Sequence, residues 1–221
     1  MSKEVPGRGL GLVLRHPLAV GALIGIALWL AVLVPRELGG LQFLELAAYD
    51  VLLELRHGAA PLTRRLGVVG LSEADVRRFG YPIPDRVLTR VLETLLAHGV
   101  RLVGVDLYRD LPVPPGHREL QALLERESRI VWIFGFGTAG REAVPPPPAL
   151  VGSGRVGFND IPLDPDGMVR RGLLYQDDGQ RVYPAFALQM ALQLLRESGV
   201  APRPWPENPA VLQLGQAPPA T

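Results

Sequence analysis

The chain has 221 residues, a formal net charge of +1 and no cysteine. A charge so near zero supports no nucleic-acid-binding field, and the missing cysteine excludes disulfides and thiolate chemistry. Four scattered histidines, His16, His57, His98 and His117, keep no metal-ligand spacing, so neither a metal nor a cofactor is expected.

The first element is the run 18–34, LAVGALIGIALWLAVLV, which carries no charge and no polar side chain. As a helix it spans roughly 26 Å, near the short end for crossing a bilayer. A helix satisfies its own backbone hydrogen bonds, which lipid cannot do. Pro17 stands where a first helical turn tolerates proline. We therefore place a transmembrane helix at 18–35 behind a cytoplasmic segment, 1–17. Lys3, Arg8 and Arg15 precede the run, while Arg36 is the only basic residue between it and Arg56. The positive-inside bias puts the N-terminus in the cytoplasm and everything after the run outside, as a single-pass protein of a cell inner membrane. Two alternatives stand beside the anchor. A cleaved signal peptide needs a shorter apolar core and a small-x-small site, where this chain has PRELGG. A buried helix of a soluble fold passes the same composition test.

The about 185 residues that remain suffice for one domain with a core. Gly39-Gly40 ends the anchor and is expected to weaken rigid transmission through it. Residues 41–56, LQFLELAAYDVLLELR, form an amphipathic helix with Leu41, Leu44, Ala48, Val51, Leu52 and Leu55 on one stripe. Asp50, Glu54 and Arg56 make a solvated face or a local ion pair, or Asp50 clamps this helix onto the domain. Residues 66–71, LGVVGL, read as a buried strand. Ser72 caps a short helix that ends at Gly80. Asp85 caps a longer amphipathic helix, 86–98, which Gly99 stops. Residues 101–106, RLVGVD, are a second buried strand, so strand, helix and strand predict a right-handed parallel βαβ unit. A helix near 119–127 and a third strand, 130–134, follow, and prolines 145–148 make a stiff connector.

Asp164-Pro165-Asp166-Gly167 is a strong turn signal, which predicts a hairpin returning along 169–175. Asp177-Asp178-Gly179 makes another turn. A helix runs from about Ala185 to Ser198, and the tail 201–221 is proline-rich with a strand-like piece at 210–214. The fold class expected is α/β: a mostly parallel sheet with flanking helices and a β-hairpin, preceded by one N-terminal transmembrane helix.

Asp106 ends a parallel strand, where open α/β sheets bind ligands, and is the first candidate site residue. It serves as a structural strand-end carboxylate, a ligand contact or, least favoured, a catalytic acid. A haloacid-dehalogenase-type phosphatase needs a second aspartate where Tyr108 stands, and neither a G-x-S-x-G nor a P-loop motif occurs. Asp164-x-Asp166-Gly167 is only a faint calcium loop, since the twelfth position is Tyr175 rather than glutamate. On a strand, Arg170 and Arg171 point to opposite faces. One is expected to pair with a carboxylate such as Asp106 or Asp166, leaving the other for an anionic ligand or a partner chain.

The helix with Tyr49-Asp50 and Arg56, then VVGLSE, PIPDRVLTRVLETLLAHGVRLVGVDL and VGFNDIPLDPDGMVRR, keep an order and spacing that resemble the CHASE2 family of extracytoplasmic sensor domains. The resemblance covers about 41–200 and is most specific at 103–107 and 156–171. It implies a sensor outside the membrane, feeding a cytoplasmic output such as a nucleotide cyclase or a kinase of a bacterial signalling protein. Asp50, Asp106, Asp164, Asp166, Gly167 and Arg170 match the family pattern, and the resemblance implies no catalytic residue among them. The chain departs from the pattern at Leu71-Ser72-Glu73, where the family commonly has Ile-Asp-Glu. It also stops where relatives continue, so an incomplete domain end is expected.

Three functions follow: a membrane-anchored sensor for an unknown small ligand or periplasmic partner, a structural or homodimerising module, and an anchored α/β hydrolytic enzyme. The second predicts an exposed apolar face on the 41–56 helix. The third predicts that Asp106 meets another titratable group.

Overall fold

The computed structural model describes residues 17–56, 66–137, 140 and 142–215. The basic residues expected on the cytoplasmic side, Lys3, Arg8 and Arg15, lie outside them, as do the last six residues of the tail. The chain divides into two compact units, 1–67 and 68–221.

The first unit holds two helices. Helix α1, Pro17–Glu37, encloses the apolar run, with none of its residues buried. It is 21 residues long with a mean hydropathy of 2.5 over its most apolar window. Among the described residues it is the one helix long and apolar enough to cross a membrane. Helix α2, Gln42–Arg56, follows. The connection between them is a bonded turn rather than a slack break. The Gly40 amide donates to the Pro35 carbonyl at 2.7 Å, and Gly39 takes a φ of 77° that favours glycine. Arg36 Nε reaches Glu45 Oε1 at 2.8 Å across the turn. Backbone bonds and an exposed side-chain bridge thus span the two glycines. The α2 stripe is as expected amphipathic, and Phe43, Leu44, Val51, Leu52 and Leu55 all stand exposed.

The second unit is an α/β body. Its order begins with α3 (Glu73–Phe79), α4 (Asp85–Ala97), β1 (Val103–Val105), α5 (His117–Arg126) and β2 (Ile130–Phe134). A short 3-10 turn at Pro148–Leu150, β3 (Val156–Phe158), β4 (Tyr175–Asp177), β5 (Val182–Pro184) and α6 (Phe186–Glu197) follow. Strands β6 (Pro202–Trp205) and β7 (Asn208–Leu214) close the described chain. The sheet β1-β2-β3 is parallel throughout, with Gly104 opposite Val131 and Ile133 opposite Gly157. Every residue of β2 is buried, which requires cover on both faces. Helices α4 and α5 supply Leu88, Leu92, Leu96, Leu120, Leu123 and Leu124 to the core around Trp132 and Phe158. Helix α6 comes closest where the sheet carries glycine. A Cβ at Gly157 would lie 2.5 Å from the Phe186 Cα, and one at Gly104 would overlap the Met190 thioether.

Ser72 caps α3 as expected, in a full capping box with Asp75. Three other expectations are corrected. Residues 66–71 form no strand and are exposed, Val68 to 87%; β1 pairs only with β2 among the described residues. An apolar run selects burial only when a neighbouring edge receives it. Asp85 does not cap α4: Pro84 holds the cap position, no side-chain cap bond forms, and the Asp85 carboxylate turns elsewhere. The hairpin lies one turn later than expected, with β4 and β5 paired antiparallel around Asp178-Gly179 while 169–172 stays outside any strand. The arginine contacts described below hold that stretch in place of a ladder.

Candidate functional site

Parallel pairing brings the carboxyl ends of β1, β2 and β3 to one edge. Asp106 leaves β1 there, exposed, and its Oδ1 accepts from Asn159 Nδ2 at 2.8 Å. Asn159 follows β3, so the bond ties the two outer strands together across β2. The next residue, Asp160, accepts from the Phe136 amide at 2.7 Å. Beside them Tyr108 lies against Gly135, where a Cβ would come within 3.2 Å of the tyrosine hydroxyl. The Trp132 indole N–H donates to the Leu107 carbonyl at 2.5 Å. An edge-to-face group, Phe134, Phe136, Phe158 and Tyr183, ties β5 to the same region, with centroids 5.1 to 5.7 Å apart. This edge orients amide and carboxylate groups but pairs Asp106 with an amide rather than an acid or base. Acid–base catalysis needs a proton acceptor and donor of matched strength, which an asparagine does not supply.

The Asp164–Arg171 loop is a closed set of charges. Gly167, at a φ of 80°, lets its amide donate to the Asp164 carbonyl at 2.8 Å, so the expected turn forms. Arg170, only 7% exposed, places Nη1 3.1 Å from Asp164 Oδ2 and Nη2 2.7 Å from Asp166 Oδ2. Arg171 bonds the other Asp164 oxygen. Asp164 is 3% exposed at its side chain. The hydrogen bonds from Arg171 and then Arg170 hold its carboxyl below the ordinary aspartate value. Arg170 does the same for Asp166, drawing it down to about 2. Both arginines converge on Asp164, and the Asp106 partner is Asn159 rather than an arginine. With the carboxylates engaged by guanidinium groups, calcium finds no ready oxygen cage here. Asp50 lies half-buried on α2 in the first unit.

One cluster escaped the sequence. Asp85, fully buried, accepts from the Val113 amide at 3.1 Å and lies 3.3 Å from His117 Nδ1. Its Oδ1 is 3.4 Å from Nη1 of Arg109, which is 6% exposed and donates through Nη2 to the Ile83 carbonyl at 2.8 Å. The Asp85 and Arg86 amides also bond the Val113 and Pro115 carbonyls. Asp85 thus fastens the start of α4 to the loop 107–116. The adjoining cavity, lined by Arg109, His117, Leu120 and Pro148, has a volume of ≈ 20 Å³. That is room for a water molecule and little more, so the cluster is a fastening rather than a ligand pocket. The signal available in the sequence was weak: an aspartate before an amphipathic helix looks like a cap wherever it points.

Against this geometry, the family model described as CHASE2 domain matches residues 26–219. No curated protein and no solved structure matches the chain.

Proposed function

Because this chain belongs to the CHASE2 domain family, a sensor-domain family of signalling proteins, we propose that it is a membrane-anchored extracytoplasmic input module of a bacterial signalling protein. The family is a sensory one and not catalytic, which agrees with an Asp106 paired to an amide. The observation that carries the reading is a single family match that joins most of α1 to the whole α/β body. In this reading α1 sits in the lipid bilayer of the inner membrane, the N-terminus is cytoplasmic, and the body meets a small ligand or a periplasmic partner outside. Signal passes only as far as that ligand distinguishes two arrangements of the protein. The bonded turn between α1 and α2 favours transmission along the first unit.

Reporter fusions placed after Ser198 test the topology. Alkaline phosphatase there is expected to be active and a cytosolic fluorescent reporter dark; the opposite pair of results ends the proposal.

A second reading draws on the exposed α2 stripe. Leu44, Val51, Leu52 and Leu55 offer an apolar face of the kind that buries against a second copy. Homodimerisation through α2 predicts disulfide crosslinking of a Leu52→Cys variant, and Leu52→Glu combined with Leu55→Glu is expected to leave a monomer in detergent.

A further inference from the structure

Helices α4 and α5 lie side by side and run in the same direction, because each leads into a strand of the parallel sheet, α4 into β1 and α5 into β2. Two ion pairs show the alignment. Arg86 Nη2 lies 3.5 Å from Glu119 Oε1, and Arg126 Nη2 lies 2.8 Å from Glu93 Oε1, seven residues further along each helix. Between these pairs runs a groove of ≈ 520 Å³ lined by Arg86, Thr89, Arg90, Glu93, Arg118, Glu119, Ala122 and Arg126. It is an open surface groove rather than an enclosed pocket, so a ligand there would be held by charge more than by enclosure.

The charges in the groove do not cancel. Four guanidinium groups face two carboxylates, and both carboxylates are engaged at the groove's ends. Arg90 and Arg118 are exposed, and neither meets a carboxylate among the described residues. The i, i+4 and i+7 spacing puts Arg86, Arg90 and Glu93 on one flank, and Ala122 adds only a small side chain to the lining. A buried fastening sets this geometry from below: Gly116 touches the Arg86 backbone so closely that any Cβ there would overlap it.

We propose that the α4–α5 groove binds a soluble anion bearing two phosphate groups, held chiefly by Arg90 and Arg118. A guanidinium fork matches two oxygens of one phosphate, and an arginine is always charged, so two unpaired forks suit two linked anionic centres better than one. The paired arginines at the ends, Arg86 and Arg126, frame the ligand, and their bonds to Glu119 and Glu93 offset the repulsion those carboxylates would otherwise exert on it. The inference gives the sensor a ligand class and rests on that reading only for where the ligand comes from.

The probe is inorganic pyrophosphate, titrated calorimetrically into the full chain in neutral detergent at low salt. Saturable binding is expected, weakened about tenfold or more by Arg90→Ala and by Arg118→Ala, since a hydrogen bond to a charged group is worth that much. Both positions are on exposed helix faces, and circular dichroism of each variant confirms that the fold is kept. Glu93→Gln, which releases Arg126, is expected to tighten binding. Three results overturn the proposal: no saturation, equal affinity in the arginine variants, or binding to phosphatidylglycerol vesicles with none to pyrophosphate. The last would assign the groove to lipid headgroups instead. A chain that binds pyrophosphate while its Ser198 fusions report a cytosolic body keeps the groove and loses the sensor topology; the converse result loses only the groove.

Discussion

Asp164 and Asp85 are both buried carboxylates faced by arginine, yet they hold the protein in different ways. Asp164 takes its partners from the same loop, Arg170 and Arg171 lying six and seven residues on. Asp85 takes its partners from another element, with Val113 28 and His117 32 residues away. The first arrangement closes a turn that is already nearly closed by Gly167. The second ties a helix start to a distant loop and so constrains the whole α4–α5 layer. A short loop costs little to close, whereas a contact made across the fold is available only once the rest has folded.

Removal of each carboxylate sharpens the contrast. Asp85→Ala is expected to have the largest effect, because it strands the buried Arg109 guanidinium; breaking one partner of a buried pair typically costs about 3–5 kcal/mol. Denaturant midpoints of the chain in detergent read it, and a loss as small as that of a surface substitution would show the pair to be idle. Next stands the α6 face of the sheet. Gly157→Ala pushes a Cβ onto Phe186 backbone and is expected to cost about 1–3 kcal/mol, the range for overpacking. Gly104→Ala meets only the flexible Met190 side chain and the Phe186 ring, so its loss should be the smaller of the two.

The local cluster shows itself in acid. Asp164 and Asp166 titrate lower in the folded chain than the ordinary aspartate value of 3.8, Asp166 at about 2. Their contribution is therefore whole above about pH 4 and is lost as the pH falls through the folded values. Arg170→Ala should raise the pH at which the chain begins to unfold in acid while changing its stability at pH 7 less than Asp85→Ala does. A pH profile parallel to the wild type would break the assignment. The smallest effect is expected at Asp106→Asn. An exposed carboxylate whose one bond is to an asparagine amide can be replaced with no measurable change in the denaturant midpoint.

How much of this was legible in sequence depended on distance along the chain. The apolar run of α1, the Ser72 cap, the amphipathic α4, α5 and α6 and the DPDG turn all obey rules that act within a few residues. The same is true in part of the arginines: the expectation that one of them meets a carboxylate such as Asp166 holds for Arg170, while the convergence of both on Asp164 was not expected. The failures were non-local. Residues 66–71 have the composition of a strand, but a strand needs an edge, and none of the described strands pairs with them. Asp85 stands where a cap would stand and points at Arg109 instead. Asp106 was visible as a strand-end acid, while its partner Asn159, 53 residues on, was not.

Sequence by itself determined the lipid-compatible helix, the α/β alternation and the family resemblance, because periodicity and side-chain polarity are properties of neighbouring residues. Tertiary structure alone decided which carboxylates became fastenings and which arginines were left facing a groove. Pairing between distant charges is fixed by the register of the strands and the direction of the crossovers, and no local pattern carries that information.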